Sequence, residues 1–380
     1  MRPLSISFST APRLASLTAR MLAASLVGLL AAAPALAATA TAQAATPAST
    51  AVAVTVDPPP ATLAPQAMIT ALARANAAVV GVQVTATDGA RSIETLGRNR
   101  SGSGVVIDTG GAGSGVVLTI GYLLIEADQI QLRTQSGRRV PATVLGYDIA
   151  TGFGLVRPLL PLGDDVPSAP LGSIRDLDTG SALTVATGGA LGDVDTTQLV
   201  SKRAFSGNWE YHIDAALFTA PPVANHSGAP VFNQRGEVVG IGSLFVADAL
   251  GTGRRLPGNM FVPIDLLRPI LPELQRTGST RRSHRPWLGL NAAEQGGRIQ
   301  IVRVNAEGPA EAAGVQPGDV LLAIDGDKVE SLEGFYKKLW SREAPDAEVR
   351  LTLQPEGGAV KTIVLRGVDR TSVMKKPAGI

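Results

Sequence analysis

Short apolar runs separated by turn residues dominate the chain from Val80 to about Pro263. The runs include VVGVQVTA, GVVLTI, SALTVAT and EVVGIGSLF, and Gly, Pro, Asp and Asn lie between them. No helical period of any length interrupts this pattern. Many short strands with turn signals between them predict an all-β barrel or sandwich.

The first 37 residues have the composition of a secretory signal peptide. Arg2, Arg13 and Arg20 precede the apolar run MLAASLVGLLAAAPALA, in which Ala35 and Ala37 flank the last leucine. A basic start, a short apolar core and an A-x-A site predict export and cleavage, and a membrane anchor is the alternative. We expect a Gram-negative-like signal, a periplasmic location and no membrane span after its removal.

The net charge gives no indication of a nucleic-acid partner. The formal charge of the whole chain is +2, and residues 1–37 contribute three arginines and no acid. The mature chain is therefore close to neutral. No block of Lys and Arg forms a stripe that could follow a phosphate backbone, so we expect no nucleic-acid binding.

The residue types that bind metals and cofactors are scarce. The chain has no cysteine, which excludes disulfides, thiol chemistry and thiolate metal sites. Its three histidines, His212, His226 and His284, lack the i, i+4 spacing of a helical metal site. We therefore expect no metal site and no cofactor.

Composition divides the remaining chain into four segments and a tail. Residues 38–66 are rich in Ala, Thr and Pro with almost no charge, which predicts a disordered leader. Residues 67–270 carry the β-rich pattern. The stretch IDLLRPILPELQRTGSTRRSHRP then predicts a short helix and a polar, basic linker, with the linker assigned to residues 271–285. Residues 286–370 alternate strand and helix patterns, which predicts a small α+β domain, and residues 371–380 form a tail.

The segment ANHSGAPVFN, residues 224–233, has the pattern of a nucleophile loop. Ser227 is followed by Gly, Ala and Pro, and then by an apolar pair and a turn. A serine hydroxyl is a weak nucleophile until a neighbouring base accepts its proton. The alternative is a tight turn entering a strand, in which the serine only fills a small polar slot.

Residues 75–365 resemble HtrA-type serine proteases, in which a trypsin-like double β-barrel precedes a C-terminal PDZ domain. The barrel segments that carry the resemblance are GSGVVID, VLGYDIATGFGLVRP, HSGAPVFNQRGEVVGI and NMFVPID. The PDZ resemblance lies in GPAEAAGVQPGDVLLAIDGDKVESLEGF. The resemblance implies a mainly β protein, with a trypsin-like double β-barrel followed by a small α+β PDZ domain.

The resemblance places the family's catalytic serine at Ser227 but leaves the other catalytic positions substituted. The run TIGYLL puts Tyr122 at the histidine position, and YDIATGFGLV puts Gly152 at the aspartate position. Asn225 stands at an oxyanion-hole glycine, and Ala229 replaces a glycine two residues after the serine. A tyrosine, with a pKa of about 10, is not a base at neutral pH, and glycine has no side chain to orient one. The resemblance therefore implies a pseudoprotease.

Two rival functions follow from the same residues. An active serine endopeptidase would need Ser227 with a non-standard base, for which His226, His212 and His284 are the candidates. His226 is adjacent to the serine, His212 lies on a preceding strand, and His284 lies in the linker, so none is well placed. The other rival is a non-catalytic interaction or scaffold module.

The PDZ resemblance implies peptide binding. Such domains add an extended C-terminal peptide to a sheet edge, and a loop of backbone N–H groups binds the terminal carboxylate. The matching loop comprises Trp287, Leu288, Gly289 and Leu290, with Gly289 and Leu290 expected to offer the donors. The helix residues expected beside the peptide are Phe335, Tyr336 and Leu339.

The expected partners follow from the family. They are C-terminal peptides or unfolded proteins, together with an active HtrA-type protease that this chain would scaffold or modulate in envelope protein quality control. The resemblance also implies a homotrimer or a heterotrimer with such a protease.

Overall fold

The computed structural model describes residues 64–108, 115–189, 192–342 and 344–376. The expected signal peptide and almost all of the expected leader lie outside these residues. All of these described residues belong to one compact unit. Among the described residues, no helix is long and apolar enough to cross a membrane.

The first part of the unit is a closed six-stranded barrel. Helix α1 (Pro65–Ala77) precedes it and begins inside the segment expected to be the leader. The barrel elements are β1 (Val79–Ala86), α2 (Ile93–Leu96), β2 (Asn99–Ile107), β3 (Val116–Ile120), β4 (Ala127–Arg133), β5 (Arg139–Tyr147) and β6 (Phe153–Pro158). The strands close antiparallel in the order β1-β2-β3-β6-β5-β4. All five residues of β3 are buried, and its β-branched side chains fit a strand that is covered on both faces.

A second closed six-stranded barrel follows. Its strands are β7 (Ala182–Ala186), β8 (Val194–Gly207), β9 (Tyr211–Ala220), β10 (Pro230–Phe232), β11 (Val238–Val246) and β12 (Gly258–Pro263). They close antiparallel in the order β10-β11-β12-β9-β8-β7. Strands β8 and β9 form a long hairpin whose turn is Asn208–Glu210, between the paired residues Gly207 and Tyr211. Glu210 has φ +57, as expected for the last residue of a three-residue hairpin turn.

The C-terminal part is a small α+β domain. Its elements, after helix α3 (Leu271–Thr277), are β13 (Pro286–Trp287), β14 (Leu290–Gln295), β15 (Arg298–Val304), α4 (Pro309–Ala312), β16 (Val320–Ile324), β17 (Asp327–Lys328), α5 (Leu332–Leu339), β18 (Glu348–Gln354), β19 (Lys361–Arg366) and β20 (Val368–Asp369). The main sheet has the order β14-β15-β16-β18-β19, with β17 paired to β16. Ser331 caps α5, because its hydroxyl accepts a hydrogen bond from Gly334 N–H.

The predicted fold class, mainly β with two barrels and a small α+β domain, is confirmed. Helix α3 lies where the sequence predicts a short helix beside the basic linker, within residues 271–285. Lys375, in the expected tail, contacts the first barrel. Its backbone N–H donates to Glu126 over 2.7 Å.

Candidate functional site

The serine loop connects β9 to β10 and is held by both barrels. The carbonyl oxygen of Ser227 accepts a hydrogen bond from Ser103 N–H over 2.8 Å, and Gly228 N–H donates to the carbonyl oxygen of Gly242 over 2.8 Å. Gly228 has φ +72, and a Cβ there would lie 2.2 Å from the carbonyl oxygen of Ser103. Only glycine fits this position, so the loop has one backbone path.

Tyr122 lies directly at the hydroxyl of Ser227. It follows β3 in a short 3-10 turn, and its hydroxyl is 2.7 Å from Ser227 Oγ and 3.0 Å from the carbonyl oxygen of Ser243. The phenol has one proton, and the carbonyl oxygen can only accept, so the carbonyl competes with Oγ for that proton. Burial raises the pKa of Tyr122, and the hydrogen bond with Ser227 lowers it in part. The phenol therefore stays protonated at neutral pH and cannot take a proton from the serine.

Gly152 lies beside the same turn. Its carbonyl oxygen accepts a hydrogen bond over 2.6 Å from Gly121 N–H, the residue before Tyr122. Gly152 has φ +85, and a Cβ there would lie 3.3 Å from the hydroxyl oxygen of Tyr211. Gly152 and Tyr122, which the resemblance assigns to the aspartate and histidine positions, are thus linked through Gly121, and Gly152 carries no side chain.

The nearest acid in the sequence, Asp148, is directed elsewhere. It is fully buried, and its Oδ2 accepts hydrogen bonds from Thr151 N–H over 2.8 Å and from the Thr151 hydroxyl over 2.5 Å. Its Oδ1 accepts from the hydroxyls of Thr280 and Ser283, which lie between α3 and β13. Asp148 therefore fastens the interdomain segment to the first barrel, and its acceptor capacity is filled.

Asn225 and His226 precede the serine. Asn225 is exposed with φ +54, a left-handed conformation that asparagine tolerates better than most residues. Neither its N–H nor that of Ser227 donates a hydrogen bond to another described residue. His226 is half-buried; burial lowers its pKa, and a hydrogen bond with the backbone of Val223 raises it in part. Ala229 is fully buried.

The other two histidines are held away from the serine. His212 bonds to Ser206 and Asp214 within the β8–β9 hairpin, and His284 bonds to Ser279 and Asp369 beside the linker. Among the described residues, no histidine ring nitrogen makes a hydrogen bond with Ser227 Oγ. Within the described ranges, the phenol of Tyr122 is the only side chain that makes a hydrogen bond with that oxygen.

The loop expected to bind a peptide carboxylate already holds one. Leu288 N–H and Leu290 N–H donate to the carboxylate of Glu210, over 3.0 Å and 2.8 Å. Glu210 belongs to the turn of the β8–β9 hairpin and is 3% exposed. In the strand that follows the loop, Ala292 N–H donates to the carbonyl oxygen of Asn208 over 3.0 Å. Sequence reasoning missed this pairing of the second barrel with the loop.

The helix residues expected beside a peptide have two different environments. Phe335 and Leu339 are fully buried in the core of the α+β domain. The hydroxyl of Tyr336 donates to the carbonyl oxygen of Gly207 over 2.8 Å and accepts from Glu210 N–H over 3.3 Å. Trp287, in the loop, is 8% exposed. Helix α5 therefore contacts the β8–β9 hairpin where a peptide was expected.

One group of described residues has the composition of a metal site. Atoms of His212, Asp214 and Glu333 that could bind an ion lie within 4.8 Å of one another, although we expected no metal site from the sequence. The ammonium group of Lys337 pairs with Asp214 over 3.0 Å and with Glu333 over 2.7 Å. A cation from the chain itself therefore balances these carboxylates.

Two family models match the chain. A trypsin-like peptidase domain matches residues 102–241, and a PDZ domain matches residues 286–364. The putative serine protease HhoA of Synechocystis is 29% identical over 253 residues, which are 60% of this chain and 61% of that protein. A probable periplasmic serine endoprotease, DegP-like, of Hahella chejuensis is 26% identical, with 73% of this chain and 60% of that protein covered. The matches thus span about three fifths of these curated relatives.

A solved structure has the same architecture. The structure described as HtrA-type protease AlgWS227A with tripeptide has a TM-score of 0.50 at 19% identity, and it covers 79% of this chain and 97% of that one. Similarity at that identity concerns the fold alone. The predicted order of a trypsin-like domain followed by a PDZ domain is confirmed.

Proposed function

We propose that this chain, an HtrA-type protein with a trypsin-like peptidase domain and a C-terminal PDZ domain, binds peptides or unfolded polypeptides without cutting them. The observation that carries the proposal is the 2.7 Å contact between the hydroxyl of Tyr122 and Ser227 Oγ. This phenol occupies the place where a serine protease holds its histidine base. The protein is then a pseudoprotease.

The chemistry of the substitution supports this proposal. In the serine mechanism, histidine accepts the hydroxyl proton and later protonates the leaving amine, and aspartate orients the histidine. A phenol whose pKa is raised by burial performs neither step at neutral pH. Loss of the histidine lowers kcat by about a millionfold in a well-characterised serine protease, and the remaining rate comes from binding and the oxyanion hole.

An active endopeptidase that uses Ser227 with an unusual base is the second candidate. The names of the relatives favour it, because both are described as serine proteases. The retained serine and the unpaired N–H groups of Asn225 and Ser227 favour it as well, since such groups are the donors of an oxyanion hole. The hydrogen bonds that hold His212 and His284 elsewhere count against it.

Labelling with a fluorophosphonate probe separates the two candidates. We expect wild-type protein and Ser227→Ala to label equally weakly and to leave casein intact over hours, beside an active serine protease as the positive control. Labelling of the wild type that disappears in Ser227→Ala, together with casein cleavage, would establish the endopeptidase and overturn the pseudoprotease proposal.

We further propose an exported protein of the cell envelope. The pattern in residues 1–37 is that of a signal peptide, and the Hahella relative is named a periplasmic enzyme. An active HtrA-type protease in a homo- or heterotrimer is the proposed partner beside C-terminal peptides and unfolded proteins. Light scattering of the purified chain, alone and mixed with such a protease, tests the assembly: a monomer in both samples contradicts it.

The third candidate is a scaffold whose PDZ domain binds no free peptide. The carboxylate of Glu210 on the loop N–H groups of Leu288 and Leu290 favours it, because this contact occupies the donors that a peptide would use. The choice between a closed scaffold and a peptide-binding domain depends on whether this contact can open.

A further inference from the structure

The turn of the β8–β9 hairpin places an acidic side chain in an unusual position. Glu210 is 3% exposed, although glutamate is almost never fully buried unless it is paired. Its carboxylate oxygens face the N–H groups of Leu288 and Leu290, and both oxygens take part. A carboxylate on successive backbone N–H groups is the arrangement by which such loops bind the end of a peptide.

A second contact, between the hairpin turn and strand β14, also resembles that of a bound peptide. A C-terminal peptide pairs its backbone with the strand that follows the carboxylate loop. Here the carbonyl oxygen of Asn208, two residues before Glu210, accepts a hydrogen bond from Ala292 N–H on β14 over 3.0 Å. The turn thus supplies both acceptors that a peptide end would supply, a carboxylate on the loop and a carbonyl on the strand.

Other groups of the PDZ domain hold the turn in place. The hydroxyl of Tyr336, on α5, contacts both ends of the turn, the carbonyl oxygen of Gly207 and the N–H of Glu210. The guanidinium of Arg370 lies 3.5 Å from the carbonyl oxygen of Trp209. The turn therefore contacts the carboxylate loop, strand β14 and helix α5, which are the three elements that form a PDZ peptide groove.

The contact is not an ideal ion pair. Burial raises the pKa of Glu210, and the loop N–H groups and the charge of Arg370 lower it in part. An ionised carboxylate therefore loses more hydration here than its partners replace. A peptide that brings its own terminal carboxylate to the same N–H groups therefore competes with a side chain that is only partly compensated for its burial.

We infer that the Asn208–Glu210 turn is an internal ligand of the PDZ domain, and that a C-terminal peptide binds by displacing the Glu210 carboxylate from Leu288 and Leu290. The inference rests on the proposed peptide-binding function. Peptide binding then requires the second barrel to release the PDZ groove, so the occupancy of the groove and the contact between the domains are coupled.

Hydrogen exchange on the full chain tests the occupancy without any peptide. In wild-type protein we expect slow exchange at Leu288 and Leu290, and faster exchange at both amides in Glu210→Ala. Glu210→Gln keeps the size of the side chain and serves as a second variant if the alanine change impairs folding. Glu348→Ala, an exposed acid on β18, is the matched control and should leave both amides unchanged. Equal exchange in all four proteins would overturn the inference.

Peptide affinity tests the displacement. Peptides with a free carboxylate are selected by C-terminal display on the full-length Glu210→Ala chain, and their Kd is measured for each variant. We expect at least about tenfold tighter binding to Glu210→Ala than to the wild type and to Glu348→Ala, because the internal ligand competes at a high effective concentration. The same peptides with amidated ends should bind none of the variants.

The outcomes distinguish this inference from the proposed function. Equal affinity of wild type and Glu210→Ala would overturn the internal ligand while peptide binding stands. A selection that yields no peptide would overturn both peptide binding and the displacement of Glu210 by a peptide. If hydrogen exchange at Leu288 and Leu290 still differed between wild type and Glu210→Ala, the protein would be a closed scaffold.

Discussion

Two sites of this molecule hold a side chain where a substrate or a catalytic group would lie, and they differ in what remains underneath. At the peptidase site, the Tyr122 phenol touches Ser227, and the proposed function has the base and its orienting acid replaced by Tyr122 and Gly152. At the PDZ loop, the Glu210 carboxylate covers the N–H donors of Leu288 and Leu290, which are still present. Under the proposed function, the first site lacks reacting groups, whereas the second has kept its binding groups and is occupied.

This difference separates two kinds of inactivity. Under the proposed function, opening the PDZ groove creates no base at Ser227, because His212 and His284 are hydrogen-bonded elsewhere and Gly152 has no side chain. Release of the PDZ groove by the Asn208–Glu210 turn would uncover Leu288 and Leu290. The comparison therefore predicts that only an amino-acid substitution can restore catalysis at Ser227. A ligand or a change in conditions is enough to restore peptide binding at the PDZ loop.

The largest expected effect is on stability and concerns Asp148, the acid nearest in sequence to Gly152. Asp148→Asn should lower the free energy of unfolding by about 3 kcal/mol. The buried carboxylate accepts hydrogen bonds from Thr151, Thr280 and Ser283, and the amide NH2 group of asparagine would point its two hydrogens at groups that are themselves donors. Urea unfolding measures this change, with the exposed Asp164→Asn as control. A loss below about 0.5 kcal/mol would show that Asp148 does not fasten the linker.

Restoring the base should restore part of the chemistry. Tyr122→His is expected to raise the rate of fluorophosphonate labelling at Ser227 by about a hundredfold. A missing histidine lowers the rate by about a millionfold, and a histidine with a defective orienting acid remains about ten-thousandfold below a full triad. Tyr122→Phe removes the phenol hydroxyl without adding a base and should give no gain. A similar gain in both variants would mean that the phenol only blocked an active site.

The hydroxyl of Tyr336 should stabilise the closed groove by a smaller amount. Tyr336→Phe leaves the carbonyl oxygen of Gly207 and the N–H of Glu210 without their buried partner, which costs about 1 to 2 kcal/mol. Hydrogen exchange should accelerate in the 207–211 turn and at Leu288, while the sheet of the PDZ domain stays protected. Unchanged exchange in the turn would remove α5 from the contact.

The pH dependence of stability tests the burial of Glu210, whose lost hydration the loop N–H groups and Arg370 offset only in part. Its folded pKa is raised above the ordinary 4.5. A group of this kind contributes stability that is fully present below its unfolded pKa and is lost as the pH rises through the folded pKa. Wild-type protein should therefore lose stability relative to Glu210→Gln as the pH rises above 4.5. If the free energies of unfolding of the two proteins changed in parallel with pH, the raised pKa of Glu210 would be contradicted.

The sequence predicted the barrels well because their signal is local. Runs such as VVLTI and EVVGIGSLF are apolar, β-branched and bounded by turn residues, and each forms or contributes to a strand. The positions of Tyr122 and Gly152 could also be read from their surroundings. Both residues lie in short turns next to recognisable strands, so the resemblance assigns them to family positions without any knowledge of side-chain geometry.

The sequence could not predict what fills the PDZ loop. GNWEY, residues 207–211, has the pattern of an ordinary hairpin turn, and nothing in it marks Glu210 as buried. Its partners Leu288 and Leu290 lie 78 and 80 residues away, so their contact depends on how the domains pack. The group of His212, Asp214 and Glu333 escaped prediction for the same reason, since β9 and α5 meet only in the folded protein.

The contrast between the two sites is tested most directly by fluorophosphonate labelling of the Glu210→Ala protein. The protein is first saturated with a C-terminal peptide obtained from the display selection. We predict that the peptide binds and that Ser227 is labelled no faster than in the wild type, because an opened groove supplies no base. Rapid labelling that requires both the peptide and Ser227 would contradict this account, since the peptidase site would then be blocked in the same reversible way as the PDZ loop.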